Sequence, residues 1–571
     1  MGIVVCKFNA LDLQTLYSSI KITNKMFIVK AFWVNWAQRK IEPSTITVCE
    51  GRIQSIEPCD AAGCEHFAMP GFIDAHIHIE SSMMLPTEFA SVAVTHGTVA
   101  TVSDPHEIAN VCGMEGVKYM IANGAKVPFH FFFGAPSCVP ATIFETAGAV
   151  LGVDEIDHLL QMPEILYLSE MMNFPGVLNQ VPEIMDKIKL AHKYHKPIDG
   201  HAPALRGEML DKYIQAGIST DHECFTYEEA LEKLQKGMKI LIREGSAAKN
   251  FEALIPLLKD FPEKIMFCSD DKHPDELNLG HIDKLAARAI AKGLDLFDTI
   301  IAACINPIDH YKLPVGKLQI GETADFILVA DLVNFNSVET YIKGEKVYHQ
   351  KCLFSTKTEL PINNFNIQKI KLEDLQIITK LSDGKHRAQA IDAVEGQIVT
   401  HKSETDIIIH NGKVLYPADK LYNKICVVNR YNQAKISMGF IKNFHIQHGA
   451  IASSVAHDSH NIVAVGSNDE DLWKAINCII EMRGGISVAA GSEIRGMALP
   501  VAGLMSNEPA EEIAKHYTEL DNHAKRITQT PLKAPYMTLS FMALPVIPSL
   551  KITDKGLFDV DSFGFVELLD I

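Results

Sequence analysis

The chain has 571 residues, which is too long for one hydrophobic core and predicts three or four domains. Its formal net charge of −17 argues against nucleic acid and anionic membranes as partners, because both attract basic surfaces. An uncharged or cationic small molecule fits this charge better as a ligand, although solubility alone explains the acidity equally well.

Cysteine usage and the absence of targeting signals point to the cytoplasm. The twelve cysteines include no Cys-x-x-Cys pair, a pattern that indicates reduced thiols in a chain of this length. The N-terminal sequence MGIVVCKFNALDL lacks the basic start and long apolar core of a secretory signal. No apolar run reaches the roughly 18 residues of a membrane span. We therefore expect a cytoplasmic protein.

Short segments in which apolar and polar residues alternate flank the middle of the chain. Residues 20–70 predict a small β-rich unit, and the same pattern returns at 316–348. We expect these two flanks to pair and to form one β-domain. Ser506 is the predicted N-cap of the last long helix. A further unit is expected from about residue 360, with strands at 406–416 and 460–467 and helices near 469–483 and 508–527.

Between the flanks, strand and helix patterns alternate regularly, which favours a parallel sheet or barrel. The repeats cluster near the roughly 30 residues per βα unit of an eight-stranded barrel. Helices are predicted at 183–195, 226–237 and 283–303, among others. We therefore predict an α/β fold with a (β/α)8 barrel. Its strands are predicted at 72–78, 98–104, 127–134, 165–170, 197–201, 218–222, 239–245 and 264–270.

Polar side chains end most of these strands: His76 and His78 the first, Asp104 the second, Glu170 the fourth, His201 the fifth, His222 the sixth and Asp270 the eighth. In a closed parallel barrel all C-terminal strand ends lie on one rim. Four histidines and two carboxylates are enough donors for two divalent ions. One ion is expected at His76, His78 and Asp270 and the other at His201 and His222, with Glu170 between them.

Such a paired site would share one hydroxide, because the ions pull the pKa of bound water toward about 7. A carboxylate that touches this hydroxide can take its proton and pass it to a leaving group, and Asp270 is suited to that task. Single members of the set also have purely structural explanations. Taken alone, His222 is more often a polar residue at a helix start, and Glu170 could pair with a lysine.

Other polar residues near the predicted rim allow two interpretations each. His106 and Glu107 follow the second strand, where they could act on substrate or only open a helix. Glu244 and Ser246 follow the seventh strand and are candidates for substrate binding, whereas Arg243 could be tied to a carboxylate. The segment HGAIASSVAHDSHN at 448–461 holds three histidines, but no nearby carboxylate–histidine spacing favours a metal there.

Several motifs in combination resemble the bacterial adenine deaminases of the amidohydrolase superfamily. They are GFIDAHIHIESSMM, DPHEIANVCG, EMMNFPGV, DGHAP, IREGSAAKN, CSDD and, near the C-terminus, GFIKNFHIQHGAIASSVAHDSHNIVAVG. The resemblance implies a metal-dependent barrel, a split β-sandwich and an additional C-terminal α+β domain. The implied division is 1–70 and 311–358 for the β-sandwich, 71–310 for the barrel and 359–571 for the C-terminal domain.

The resemblance also implies an activity, the hydrolysis of adenine to hypoxanthine and ammonia in purine salvage, with two manganese or iron ions per subunit. The implied ligands are His76, His78, Glu170, His201, His222 and Asp270. Asp270 is also the implied proton shuttle, and Glu223 and Glu244 are candidates for the acid that protonates the purine ring. Adenine is then the small-molecule partner, and the sizeable C-terminal unit makes a homodimer a candidate assembly.

Three other functions are compatible with parts of this pattern. The first is a cyclic-amide hydrolase of the hydantoinase or dihydroorotase kind, but those enzymes resemble each other in a modified lysine after strand four, where this chain has Glu170. The second is another aminopurine deaminase on the same fold. The third is a non-catalytic scaffold, which should have lost ligands, whereas all six are present here.

Overall fold

The computed structural model describes residues 26–357, 359–417 and 419–569. It begins with a β-meander in which β1 pairs antiparallel with β2, and β2 with β3. A fourth strand joins β1 in parallel and leads directly into the barrel. The bounds of these strands are β1 Met26–Asn35, β2 Lys40–Cys49, β3 Arg52–Pro58 and β4 Phe67–Pro70.

Eight parallel strands form a closed barrel. β5 to β9 form one run of parallel pairs and β10 to β12 another. The runs are joined where the Ser219 N–H donates to the Ile198 carbonyl, at 3.1 Å, and where the Asp270 N–H donates to the His76 carbonyl, at 2.9 Å. The predicted barrel is thus confirmed. Its strands are β5 Phe72–Ile77, β6 Thr98–Ser103, β7 His130–Ala135, β8 Ile165–Met171, β9 Ile198–Gly200, β10 Thr220–Asp221, β11 Lys239–Arg243 and β12 Ile265–Cys268.

Helices cover the outside of the barrel, and one of them differs from its prediction. The segment 283–303 is not one helix, because Gly293 adopts a left-handed φ of 80° and Asp295 caps a new helix start. The helices are α1 Pro86–Ala93, α2 His106–Gly124, α3 Val153–Gln161, α4 Phe174–Leu178, α5 Pro182–Lys193, α6 Gly207–Gln215, α7 Tyr227–Gln235, α8 Phe251–Leu254, α9 Pro274–Leu279, α10 Ile282–Ala291, α11 Leu296–Ile300 and α12 Asn306–Tyr311, with a π-helical turn at Ile301–Ile305.

After the barrel the chain returns to the first sheet, as the sequence predicts. β13 pairs antiparallel with β4, so that Ile327 faces Met69, and the complete sheet has eight strands. The Ile53 N–H on β3 donates to the Glu322 carbonyl at 2.9 Å, which brings the β3 edge of the sheet next to the segment before β13. The sheet has an apolar core of its own. The returning strands are β13 Phe326–Val329, β14 Ser337–Ile342, β15 Glu345–His349 and β16 Lys351–Cys352.

The C-terminal unit is built on a nine-stranded mixed sheet, followed by a small three-stranded sheet. Its strands are β17 Gly384–Ala393, β18 Thr400–His410, β19 Lys413–Val414, β20 Tyr422–Val428, β21 Ser437–Lys442, β22 Ala450–Ser453, β23 Ile462–Gly466, β24 Gly485–Ala490, β25 Glu493–Ala498, β26 Leu550–Thr553, β27 Gly556–Asp559 and β28 Gly564–Phe565. Its helices are α13 Asp469–Met482, α14 Ala510–Thr528 and α15 Pro535–Ser540. Among the described residues, no helix is both long enough and apolar enough to cross a membrane.

The start of α14 corrects one prediction. The Ser506 hydroxyl accepts the Glu508 N–H at 3.2 Å instead of capping the helix. The first N–H of the helix, at Ala510, donates to the Glu88 carboxylate of α1 at 2.9 Å. The predicted Ser506 cap is therefore wrong, because a carboxylate from the barrel occupies the place of a local cap.

A buried ion cluster holds the ends of β9 and β10, which carry two of the predicted histidines. Lys233 on α7 is fully buried and pairs with the carboxylates of Asp221 and Glu229. Its ammonium also donates to the Ala202 carbonyl at 2.8 Å, while the Asp221 carboxylate accepts the Glu223 N–H at 3.0 Å. This cluster therefore determines where the chain turns after each strand.

Substituting Lys233→Met should reduce the free energy of unfolding by about 3–5 kcal/mol, because it leaves two buried carboxylates without their cation. Chemical denaturation monitored by circular dichroism measures the change. Lys189→Met removes an exposed lysine that pairs with Asp186 and should change stability by no more than about 0.5 kcal/mol. Equal losses in the two variants would contradict a special role of the buried cluster.

Candidate metal centre

The structure brings the six predicted side chains together at the C-terminal rim of the barrel. All six are buried, the most exposed being His201 at 7%. Glu170, near the end of β8, lies at the centre of the group. Its Oε1 atom is 3.3 Å from His78 Nε2, and its Oε2 atom is 2.6 Å from His201 Nδ1 and 3.2 Å from His222 Nε2. One carboxylate thus contacts histidines on both sides.

On one side of Glu170 lie His76, His78 and Asp270. The two histidines lie two residues apart on an extended chain, which directs both rings to one face, with their Nε2 atoms 3.2 Å apart. Asp270 follows β12 with a left-handed φ of 55°, and its backbone bond to His76 brings its carboxylate into the group. Asp270 Oδ1 lies 3.2 Å from His78 Nε2 and 3.9 Å from His76 Nε2.

The two carboxylates of the group are ionised at neutral pH. Burial by itself would raise the pKa of Glu170, but His201 and His222 hold that pKa well below its usual value. Burial also opposes the charge on Asp270, and the Arg243 guanidinium outweighs it and holds the pKa of Asp270 well below its usual value. Burial lowers the pKa of His76 strongly, with a contribution from His222. For His222, burial is outweighed by Glu170, which raises the pKa to about 9.

These residues fit a divalent cation. Nitrogen and oxygen ligands about 2.1 Å from one ion lie roughly 3.0–3.4 Å from each other, and the distances from His78 Nε2 to His76 Nε2 and to Asp270 Oδ1 fall in this range. His76 Nδ1 and His201 Nε2 are buried and have no hydrogen-bond partner among the described residues. A buried polar atom without a partner is costly, and a metal ligand site is one explanation for it.

A sixth strand end, that of β6, adds residues that sequence reasoning did not include in the ligand set. His106 Nδ1 lies 3.1 Å from Asp104 Oδ2 and 3.4 Å from Glu170 Oε1. Together with His78 and Glu170, these two residues form another group of four donor atoms within 4.8 Å of one another. The signal was the polar pair Asp104 and His106 directly after β6, at the same rim as the six.

Glu223 and Arg243 lie against the same group. Arg243 Nη1 and Nη2 lie 2.5 Å and 3.0 Å from the two carboxylate oxygens of Glu223, and Arg243 Nη1 also contacts Asp270 Oδ2. Glu223 Oε1 is 3.5 Å from His222 Nε2. The candidate substrate residue Glu223 therefore lies beside the candidate ligands. Arg243 pairs with carboxylates, which is the structural role that the sequence allowed for it.

The other candidate substrate residues are placed differently. Glu107 lines the cavity over the site, where its carboxylate contacts His457 and His460 of the C-terminal unit. Glu244 pairs with Arg288 at 2.5 Å, and the Ser246 hydroxyl donates to Glu276 at 3.1 Å. Neither Glu244 nor Ser246 is part of the cavity wall that the described residues form.

The C-terminal histidines also have carboxylate partners, which the sequence spacing did not indicate. His457 and His460 contact the Glu107 carboxylate. In addition, the neighbouring Asp458 contacts a barrel histidine, with its Oδ1 atom 3.8 Å from His106 Nε2. Asp458, His106 and Glu107 form a further group of potential donor atoms. The barrel supplies two members of this group, so the segment 448–461 by itself could not reveal it.

Comparison with known proteins assigns the chain to a family. Residues 67–347 match the model of the Amidohydrolase family, and residues 397–564 match that of the Adenine deaminase C-terminal domain. The Adenine deaminase of Sulfurovum sp. (strain NBC37-1) is 53% identical over 541 residues, which cover 94% of this chain and 99% of that protein. The Adenine deaminase of Borreliella burgdorferi is 49% identical over 552 residues, which cover 95% and 100%. This chain belongs to the adenine deaminase family.

Proposed function

We propose that the protein hydrolyses adenine to hypoxanthine and ammonia. The observation that carries the proposal is the position of Glu170, whose two carboxylate oxygens face histidines on opposite sides in a chain that belongs to the adenine deaminase family. Such a carboxylate is suited to bridge two cations. The fold and the family make the protein a metal-dependent hydrolase.

Two divalent ions are proposed at this centre, with manganese or iron as the metal. His76, His78 and Asp270 would hold one ion, His201 and His222 the other, and Glu170 both. Nitrogen and oxygen donors accept several first-row metals, so the choice of manganese or iron rests on the family. When bound, such ions lower the pKa of a coordinated water and so supply a nucleophile at neutral pH.

Asp270 is the proposed proton carrier between water and the exocyclic amine. Its Oδ1 atom lies 3.2 Å from His78 Nε2, within the group of candidate ligands, where a carboxylate can take a proton from water and pass it on. The same proton can then reach the amine that leaves as ammonia. The left-handed backbone at Asp270 and its bond to His76 fix the carboxylate in one place.

Glu223 is the better of the two candidates for holding a proton at a purine ring nitrogen. It lines the cavity, and Arg243 orients its carboxylate through two hydrogen bonds. Glu244 points to Arg288 instead, at 2.5 Å. The substrate-binding roles predicted for Glu107 and Ser246 stay predictions.

We also propose a cellular location, an assembly and a set of domain boundaries. A cytoplasmic location is supported by the free thiols of all eleven cysteines in the described part of the chain. A homodimer stays a prediction. Domain boundaries at residues 70, 310 and 358 are also proposed, and the end of β4 at Pro70 and the return of the sheet at Phe326 support the first two.

The direct test is an aminopurine panel, with metal content measured on the same sample. The manganese-loaded protein should convert adenine to hypoxanthine, which is monitored by the loss of the adenine ultraviolet band. Hydantoin and dihydroorotate should not be hydrolysed, because Glu170 stands where their hydrolases use a modified lysine. Turnover of these cyclic amides without turnover of adenine would support the rival enzyme. Fewer than about one bound metal equivalent, with no hydrolysis after manganese or iron is added, would support a scaffold.

Asp270→Asn should lower kcat for adenine by about a thousandfold, because the amide cannot carry the proton. Circular dichroism and the melting temperature should show that the variant is folded. Asp309→Asn, which changes an exposed aspartate paired with Lys317, is the matched control and should retain full activity. Near-normal turnover by Asp270→Asn with normal metal content would remove Asp270 from the mechanism.

Glu170→Gln should lower the occupancy of both ions, because a neutral amide binds cations more weakly than a bridging carboxylate. The metal is removed with a chelator and the protein is reloaded with Mn²⁺. Inductively coupled plasma mass spectrometry then measures the bound metal equivalents. The expected result is a fall from two equivalents to below one, with a matching loss of activity. Glu115→Gln alters an exposed glutamate and should bind as much metal as the unchanged protein. Two retained equivalents in Glu170→Gln would refute the bridging role.

A further inference from the structure

The cavity above the candidate metal centre has two walls of different chemistry. The barrel wall is charged and includes Glu170, His201, Glu223 and Asp270. The opposite wall comes from the C-terminal unit, and most of its side chains are apolar. These apolar residues are Ile398, Phe541, Leu544 and Ile547, called here the apolar wall.

Two segments of the C-terminal unit carry this wall, and a buried lysine ties them together. Ile398 precedes β18, whereas the other three residues follow α15. Lys551 is fully buried, and its ammonium donates to the Ile398 carbonyl at 2.6 Å and to the Phe541 carbonyl at 3.0 Å. The two segments are therefore held at a fixed distance from each other.

A second set of contacts fastens the wall to the barrel. His457 contacts the Glu107 carboxylate through Nδ1, and its ring stacks on Phe541 with centroids 4.5 Å apart and planes 14° apart. The backbone N–H of His457 also donates to the Ser540 carbonyl at 2.9 Å. Glu107 thus connects through His457 to the apolar wall.

His460 provides the second contact of Glu107. Its Nδ1 accepts the Ala456 N–H at 3.1 Å, so the ring proton of the neutral imidazole is on Nε2, which faces Glu107 Oε2. Both carboxylate oxygens of Glu107 are therefore used in holding the C-terminal unit. These contacts favour a positioning role for Glu107 over the substrate-binding role that the sequence predicts.

We propose that the C-terminal unit completes the substrate site: its apolar wall packs against the ring of a purine base, and the contacts of Glu107 with His457 and His460 hold that wall over the barrel rim. This inference rests on the proposed function, whose substrate is a planar, uncharged heteroaromatic base. Leu544, Phe541 and Ile547 are then specificity-determining residues, and Glu107 and Lys551 are positioning residues.

The chemistry of the two walls supports this division. A charged rim can bind water and an amine, whereas apolar side chains pack well against the faces of a flat ring. Small-molecule sites are predominantly apolar, with a few polar groups that set orientation. The barrel side offers Met172, Ala247 and Ala248 as apolar lining, whereas four bulky apolar side chains come from the C-terminal unit.

The test is a graded series at Leu544, assayed in the manganese-loaded full-length enzyme. Leu544→Ala should raise KM for adenine about tenfold and change kcat by less than about twofold, because apolar contact with the base is lost and the proton carriers stay in place. Leu544→Met nearly conserves the volume and should keep KM close to that of the unchanged enzyme. Calorimetric titration with hypoxanthine should show the same tenfold loss of affinity for Leu544→Ala.

Leu557→Ala is the matched control. Leu544 and Leu557 are both 4% exposed and belong to the same unit, but Leu557 does not line the cavity. This control should lose stability and keep KM. An unchanged KM and hypoxanthine affinity in Leu544→Ala, or equal changes in both variants, would overturn the inference.

The outcomes also separate this inference from the proposed function. If the unchanged protein binds hypoxanthine but does not convert adenine, the proposed activity fails and the binding series still tests the wall. If it converts adenine and Leu544→Ala behaves like Leu557→Ala, only the wall fails. If it binds no purine base at all, both fail.

Discussion

The contact of Glu170 with histidines on both sides is the interaction on which the site depends. An ionised carboxylate without partners is unstable in a buried position, so the surrounding imidazoles keep it charged and in place. The histidines come from three different strand ends, and the closed barrel is what brings those ends together. The proposed chemistry therefore follows from barrel closure, since an open sheet would separate His201 and His222 from His76.

A second layer of charge surrounds this group. Arg243 contacts the carboxylates of both Glu223 and Asp270, and the Lys233 cluster holds the turns after β9 and β10. Each of these buried charges has a partner of opposite sign, which is the condition under which such ion clusters are tolerated inside a protein. These ion pairs fix the positions of the carboxylates, and well-positioned donors are what a metal centre requires.

The C-terminal unit is part of the same site and more than an appended domain. It approaches the barrel rim through Glu107 and through the bond between Glu88 and the first turn of α14. Both units line one cavity over the candidate metal centre, and a lining that displaces bulk water strengthens the electrostatic interactions within it. The arrangement gives the barrel the reacting groups and, by our inference, gives the second unit the recognition of the base.

The sequence by itself determined the eight barrel strands, the pairing of the two flanking β-segments and the six side chains of the candidate metal centre. These follow from local periodicity and from the rule that parallel strands end on one rim, and both can be read without coordinates. Tertiary structure alone decided the partners of Arg243, the replacement of the Ser506 cap by Glu88 and the contact of Glu107 with His457, 350 positions away. Such contacts depend on how whole units pack, and no local pattern of residues encodes that packing.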